Sequence, residues 1–182
     1  DGDDADKLCD LCEQKMMDPV AIVNGVEYET FAEAYAAAGE NGVIELLKTG
    51  IIDSATIIQN VTIKAEGEFV ALRIVNNAFV AINNVTMETN DYAFILGASD
   101  GSSAGTLHIF GGNFEAVTSV VSVTKGELVI KDGNFSVEPY EGSYEYLINC
   151  IDANYKNGSA VVKIFGGSFE NWNPENNAAE GA

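Results

Sequence analysis

The chain has 182 residues, 47% of them hydrophobic, and carries 28 acidic against 9 basic side chains, a formal net charge of −19. That length supports one domain with a sizeable core, and that hydrophobic fraction excludes a disordered chain. The charge argues against nucleic acid and anionic membrane surfaces as partners, because their phosphates call for Lys and Arg.

Residues 1–18 stand apart as a tail. Asp1, Asp3, Asp4 and Asp6 make an acidic start. Leu8, Leu11, Cys12 and Met16 then follow at helical spacing until Pro19 stops the pattern. This apolar stripe is a candidate partner interface, with the tail as an anchor. Cys9-x-x-Cys12 reads as an inert apolar pair, with disulfide chemistry or a zinc site as alternatives. The 3 cysteines of the chain are too few for a disulfide scaffold.

Residues 19–182 are expected to form one domain. Its N-terminal unit, 19–48, holds a strand at 21–23, a turn at Asn24-Gly25 and a second strand at 26–28. Thr30 and Glu33 form a capping box for a helix that stops at Gly39. A strand at 43–47 follows. The short helix is expected to plug one end of the domain.

The repeat body, 49–170, is built from short strands broken by Gly, Asn and Asp. Leu107-His108-Ile109-Phe110-Gly111-Gly112-Asn113-Phe114 returns as Leu128-Val129-Ile130-Lys131-Asp132-Gly133-Asn134-Phe135. It returns once more as Val162-Lys163-Ile164-Phe165-Gly166-Gly167-Ser168-Phe169. Asn60-Val61-Thr62-Ile63 and Asn84-Val85-Thr86-Met87 fit the same frame. One such unit cannot bury its apolar face alone, whereas stacked units can. Ile63, Met87, Phe114, Phe135 and Phe169 are therefore expected to stack inside. Thr62, Thr86, Asn113, Asn134 and Ser168 would stack on the opposite face.

Other apolar or alternating runs lie at 69–75, 79–82, 92–96, 117–123 and 146–151. Long loops are expected at 97–105 and 138–144. No helical pattern of βαβ length lies between the runs, which excludes βαβ units. Residues 171–182 form an irregular C-terminal tail. The fold class is thus all-β, a right-handed single-stranded parallel β-helix of about 5–7 coils with a short N-terminal capping helix. No apolar run approaches the ~20 residues of a membrane helix, so no membrane span is expected.

The N-terminal unit, the Ile-x-Gly-Gly-Asn/Ser-Phe repeats and the tail Trp172-Asn173-Pro174-Glu175-Asn176-Asn177 resemble the pectin-lyase-like right-handed parallel β-helix superfamily. The resemblance covers about residues 20–182. It implies the fold, and it leaves open a wide range of functions. Non-catalytic members occur on bacterial surfaces and in bacteriophage particles. Lyases of the superfamily use calcium-binding carboxylates with a basic Arg or Lys, and hydrolases use clustered Asp on successive coils.

Those constellations do not recur in this sequence. Arg73 is the only Arg, and it has no acidic neighbours in its strand. Asp132 is the only Asp in a repeat frame, which favours a turn residue over a paired carboxylate. His108, flanked by inward Leu107 and Ile109, faces outward in register with Val129 and Lys163, far from any nucleophile. No catalytic residue, metal site or cofactor is therefore assigned.

Two binding candidates remain. Tyr140, Tyr144 and Tyr146, with Trp172 in the tail, offer rings for sugars or protein. Phe110 and Phe165, flanking Lys131, offer an exposed aromatic surface for a partner protein. The expected function is a non-enzymatic structural or adhesive module of a larger assembly, a bacteriophage fibre or decoration protein or a bacterial surface protein. A secreted carbohydrate-binding β-helix is the alternative, followed by a polysaccharide lyase or hydrolase. The expected partners are proteins of a virion or cell-surface assembly, with glycans and a second copy of the chain as further candidates. The expected location is extracellular.

Overall fold

The structure is a computed structural model that describes residues 18–138 and 146–174. It begins with a hairpin of β1 (Ala21–Val23) and β2 (Val26–Tyr28). The turn between them places Asn24 and Gly25 at φ 51° and 78°. Positive φ at both central residues matches the right-handed twist of the strands, and Asn-Gly tolerates it. Helix α1 (Phe31–Ala38) follows, with the Thr30/Glu33 capping box formed in both directions. Its buried residues, Phe31 and Ala34, sit over the first coil.

That coil consists of β3 (Val43–Leu46), β4 (Gly50–Ile52) and β5 (Thr56–Gln59). The second is β6 (Thr62–Ala65), β7 (Leu72–Ile74) and β8 (Ala78–Asn83). The third is β9 (Val85–Thr89), β10 (Tyr92–Leu96) and β11 (Gly105–Ile109). The fourth is β12 (Gly112–Ala116), β13 (Ser119–Val123) and β14 (Gly126–Ile130). The fifth is β15 (Asn134–Val137), β16 (Ile148–Cys150) and β17 (Ala160–Ile164), and β18 (Ser168–Glu170) opens a sixth. Each strand pairs in parallel with its counterpart one coil away, so three sheets run along the stack. The expected parallel β-helix is present. Strand β3 is shared: it pairs antiparallel with β1 and parallel with β6.

The repeat frame holds residue by residue. Ile44, Ile63, Met87, Phe114, Phe135 and Phe169 are in register on the inward side of the first sheet. The rings of Phe114 and Phe135 stack at 5.1 Å, and those of Phe135 and Phe169 at 5.2 Å. On the outward side, Thr62, Thr86, Asn113, Asn134 and Ser168 form the polar ladder, and Asn134 Nδ2 donates to Asn113 Oδ1 at 2.8 Å. A second Asn ladder closes the corner before it, where Asn84 Nδ2 donates to Asn60 Oδ1 at 2.8 Å.

The glycine of each Phe frame has a steric cause. Gly112, Gly133 and Gly167 have φ of 139°, 135° and 119°. A Cβ on Gly133 would lie 3.0 Å from the ring of Phe135 two residues on. The coils with slimmer Ile63 or Met87 carry Val61 or Val85 at that position, both buried. Glycine thus makes room for the Phe ring in the close-packed interior.

Three expectations are corrected. The run 69–75 is a strand only at Leu72–Ile74, because Phe69 takes φ 60° and points out, 77% exposed. The run 146–151 shortens to Ile148–Cys150. A five-residue helix, α2 (Asp152–Lys156), lies between β16 and β17, where the sequence signalled none. Its single turn is shorter than the periodicity that reveals a helix in a sequence. The loop expected at 97–105 lies between β10 and β11. Of the loop expected at 138–144, residues 139–144 lie outside the described residues, as does the tail helix at 1–17.

Candidate functional site

In a β-strand, alternate side chains leave the core. On the outer side of the third sheet these are Ile57, Ala81, His108, Val129 and Lys163 in one register column. Phe79, Thr106, Glu127 and Val161 form the column beside it. Phe110, Lys131 and Phe165 each lie one residue past their strand. Their backbone N–H groups donate to Ile82, Ile109 and Ile130 of the preceding coil, so the ladder continues through them. The two predicted rings are thereby placed two coils apart with the predicted lysine between them.

This outer face is aromatic and exposed. Phe110 is 48% and Phe165 65% exposed, and Phe79 and Ile57 are exposed beside them. His108 meets Phe79 edge-on at 4.8 Å and Phe110 at 6.3 Å. Lys131 Nζ lies 3.6 Å from the centroid of the Phe165 ring, a cation–π contact. Lys163 Nζ lies 2.6 Å from Glu127 Oε1. That hydrogen bond holds the Glu127 carboxyl below its ordinary value, with the Lys163 charge adding to it. Both partners are open to solvent, so the pair fixes geometry more than it stabilises.

The first sheet presents the opposite chemistry. Glu45, Lys64, Glu88, Glu115, Ser136 and Glu170 are in register on its outer side. All of these except Glu45 border an open groove of ≈ 670 Å³ whose far lip carries Glu66, Asn90, Val117, Glu138 and Asn171. Among the described residues lining the groove, only Lys64 offsets these carboxylates, and it lies 3.4 Å from Glu88.

The residues weighed for catalysis take structural positions. Asp132 Oδ1 accepts the N–H of its neighbour Gly133 at 2.8 Å, as a turn residue does. Arg73 is half-buried on the outer side of the second sheet and donates from Nη1 to the Gly97 carbonyl at 3.1 Å. Burial lowers its pKa. His108 faces outward, in register with Val129 and Lys163 as expected. Among the described residues, no three His, Cys, Asp or Glu side chains are grouped to hold a metal ion.

Trp172 packs edge-on against Phe169 at 5.5 Å, closing over the last ladder residue. Tyr146 is half-buried. Tyr140, Tyr144, Leu8, Leu11, Cys12 and Met16 lie outside the described residues.

Sequence reading missed Phe79 and the glutamate groove. Phe79 was readable as the outward member of an alternating strand, but its placement beside His108 needs the coil register. The groove glutamates are scattered through the chain and converge only by stacking. No helix among the described residues is long and apolar enough to cross a membrane. No family model, curated protein or solved structure matches the chain.

Proposed function

We propose that this chain is a non-enzymatic structural or adhesive module that docks into a larger extracellular assembly through the outer face of its third sheet. A virion, as a fibre or decoration protein, is the first setting, and a bacterial surface the second. The observation that supports this reading is the exposed column of Phe110, Lys131 and Phe165 with Phe79 and His108 beside it. Solvent-exposed rings grouped on one sheet face are a feature of interaction surfaces. Buried Leu107, Ile109, Leu128 and Ile130 hold the backbone of that sheet in place, so the rings meet a partner with little backbone ordering cost.

A carbohydrate-binding β-helix is the second reading. The same rings favour it, since an aromatic face stacks on the apolar face of a sugar. The deciding measurement compares the chain with its Phe110→Ser/Phe165→Ser variant. Incorporation into the native particle or surface layer is expected to fall sharply while the melting temperature stays unchanged. Undiminished incorporation would remove this face from the docking role. Deletion of residues 1–18 in a parallel sample separates the contribution of the tail stripe. Glycan retention by the isolated chain, lost in the same variant, would favour the second reading.

A further inference from the structure

The partner of the aromatic face is legible in the charge distribution of the chain itself. The third-sheet face carries Lys131 and Lys163 against the single carboxylate of Glu127. These three side chains sum to +1, with Lys131 the cation outside the Lys163–Glu127 pair, on a chain of net charge −19. Among the described residues, five glutamates line the first-sheet groove, at 66, 88, 115, 138 and 170, against Lys64 alone. Both surfaces are cut from the same coils, so their charges recur with the same axial step of ~4.8 Å. One is a ridge of side chains standing off a sheet, and the other is concave.

We infer that the third-sheet face of one copy seats in the first-sheet groove of a second copy, placing Lys131 and Lys163 against Glu115, Glu138 and Glu170. The inference rests on the docking role proposed above and names the partner. A face-to-face pairing of two third sheets would offer the lysines only Glu127, which already pairs with Lys163. End-to-end stacking at the first coil is blocked by α1, which covers it. The groove contact uses a different surface on each copy, so every added copy leaves one ridge and one groove free. Such a heterologous contact builds rings or filaments rather than a closed pair.

Sedimentation equilibrium of the isolated chain over a concentration series, at an ionic strength of ~0.15 M, tests the inference. Screening at ~8 Å damps the overall repulsion there but leaves close contacts intact. Reversible self-association is expected for the wild type. Lys131→Glu/Lys163→Glu is expected to weaken it about tenfold or more, as is Glu115→Lys/Glu170→Lys. Mixing those two variants is expected to restore mixed assemblies. Lys48→Glu/Lys156→Glu changes the net charge as Lys131→Glu/Lys163→Glu does, at exposed positions that do not line the groove or the aromatic column, and is expected to leave association unchanged. A chain that stays monomeric at every concentration overturns the inference, as does a control that weakens association equally or a mixture that fails to recover it. Unchanged thermal melting of each variant shows that folding is not the cause. If the chain is monomeric and Phe110→Ser/Phe165→Ser still abolishes incorporation, the second-copy partner falls and the docking face stands.

Discussion

Phe135 shows how one residue sets the packing of three coils. It is 2% exposed and stacks between Phe114 and Phe169. Phe135→Ala is expected to destabilise by about 3–5 kcal/mol in chemical denaturation, the range for a buried Phe. A loss under ~1 kcal/mol would contradict the inward register. Gly133→Val places a branched side chain where the ring of Phe135 lies, and is expected to destabilise by at least ~1–3 kcal/mol by overpacking and backbone strain. Adding Phe135→Met should recover part of that loss, since the coil of Val85 and Met87 already uses that combination. A purely additive double variant would reject the steric account.

Phe69 is the strained counterpart. It holds φ 60°, its N–H donates to Asp91 Oδ2 at 3.1 Å, and its carbonyl accepts from Thr49 Oγ1 at 2.8 Å. These two bonds hold a bulky residue in the left-handed region, at a cost of order 1–2 kcal/mol. The ring is solvent-exposed, so Phe69→Gly should raise stability by roughly 1 kcal/mol in the same denaturation assay. A decrease would show that the ring packs on something that stabilises the fold.

Among the elements, α1 is the one whose ends are written in the chain. Thr30 Oγ1 accepts from the Glu33 N–H at 3.2 Å, and Glu33 Oε2 accepts from the Thr30 N–H at 3.1 Å. Thr30→Ala is expected to destabilise by about 1 kcal/mol, read as a lower denaturation midpoint at constant slope. A helix of eight residues is marginal alone. It persists because Phe31 is buried over Gly50 and Leu72 of the first two coils.

At the scale of the molecule, the two ends differ. The α1 end is covered, whereas at the other end Val162, Ile164, Phe169 and Trp172 are partly buried against the core. Cys150 faces inward in the fifth coil, in register with Val123. Burial raises its thiol from an ordinary 9.0 to about 11. At pH 8 the folded chain should therefore hold about a hundredfold less thiolate there than a free cysteine. Alkylation of Cys150 in a Cys9→Ser/Cys12→Ser background should be slowed accordingly and recover on unfolding. A raised thiol pKa favours the folded state only while the unfolded thiol stays protonated. Its contribution is full below about pH 9 and is lost as pH rises toward 11. Rapid labelling of the folded chain at pH 8 would show the fifth coil to be open.

The sequence by itself determined the coil. Alternation of apolar and polar residues, the recurring Gly-x-Phe frame and the capping box are local signals, and each describes its own neighbourhood. In-register stacking then follows, because every frame must bury the same face. Hence the ladder from Ile63 to Phe169 and the helix start at Thr30 were readable before any coordinates. Only the tertiary structure decided which outward residues meet. Phe79 is 29 positions from His108, and Glu127 is 36 positions from Lys163. Loops of unequal length between copies hide those neighbours from any sequence period. The left-handed turn at Phe69 and the single helical turn at Asp152–Lys156 also escaped, because bonds to distant residues outweigh local propensity there. The chain spelled out one coil, and stacking the coils assembled the aromatic face and the acidic groove.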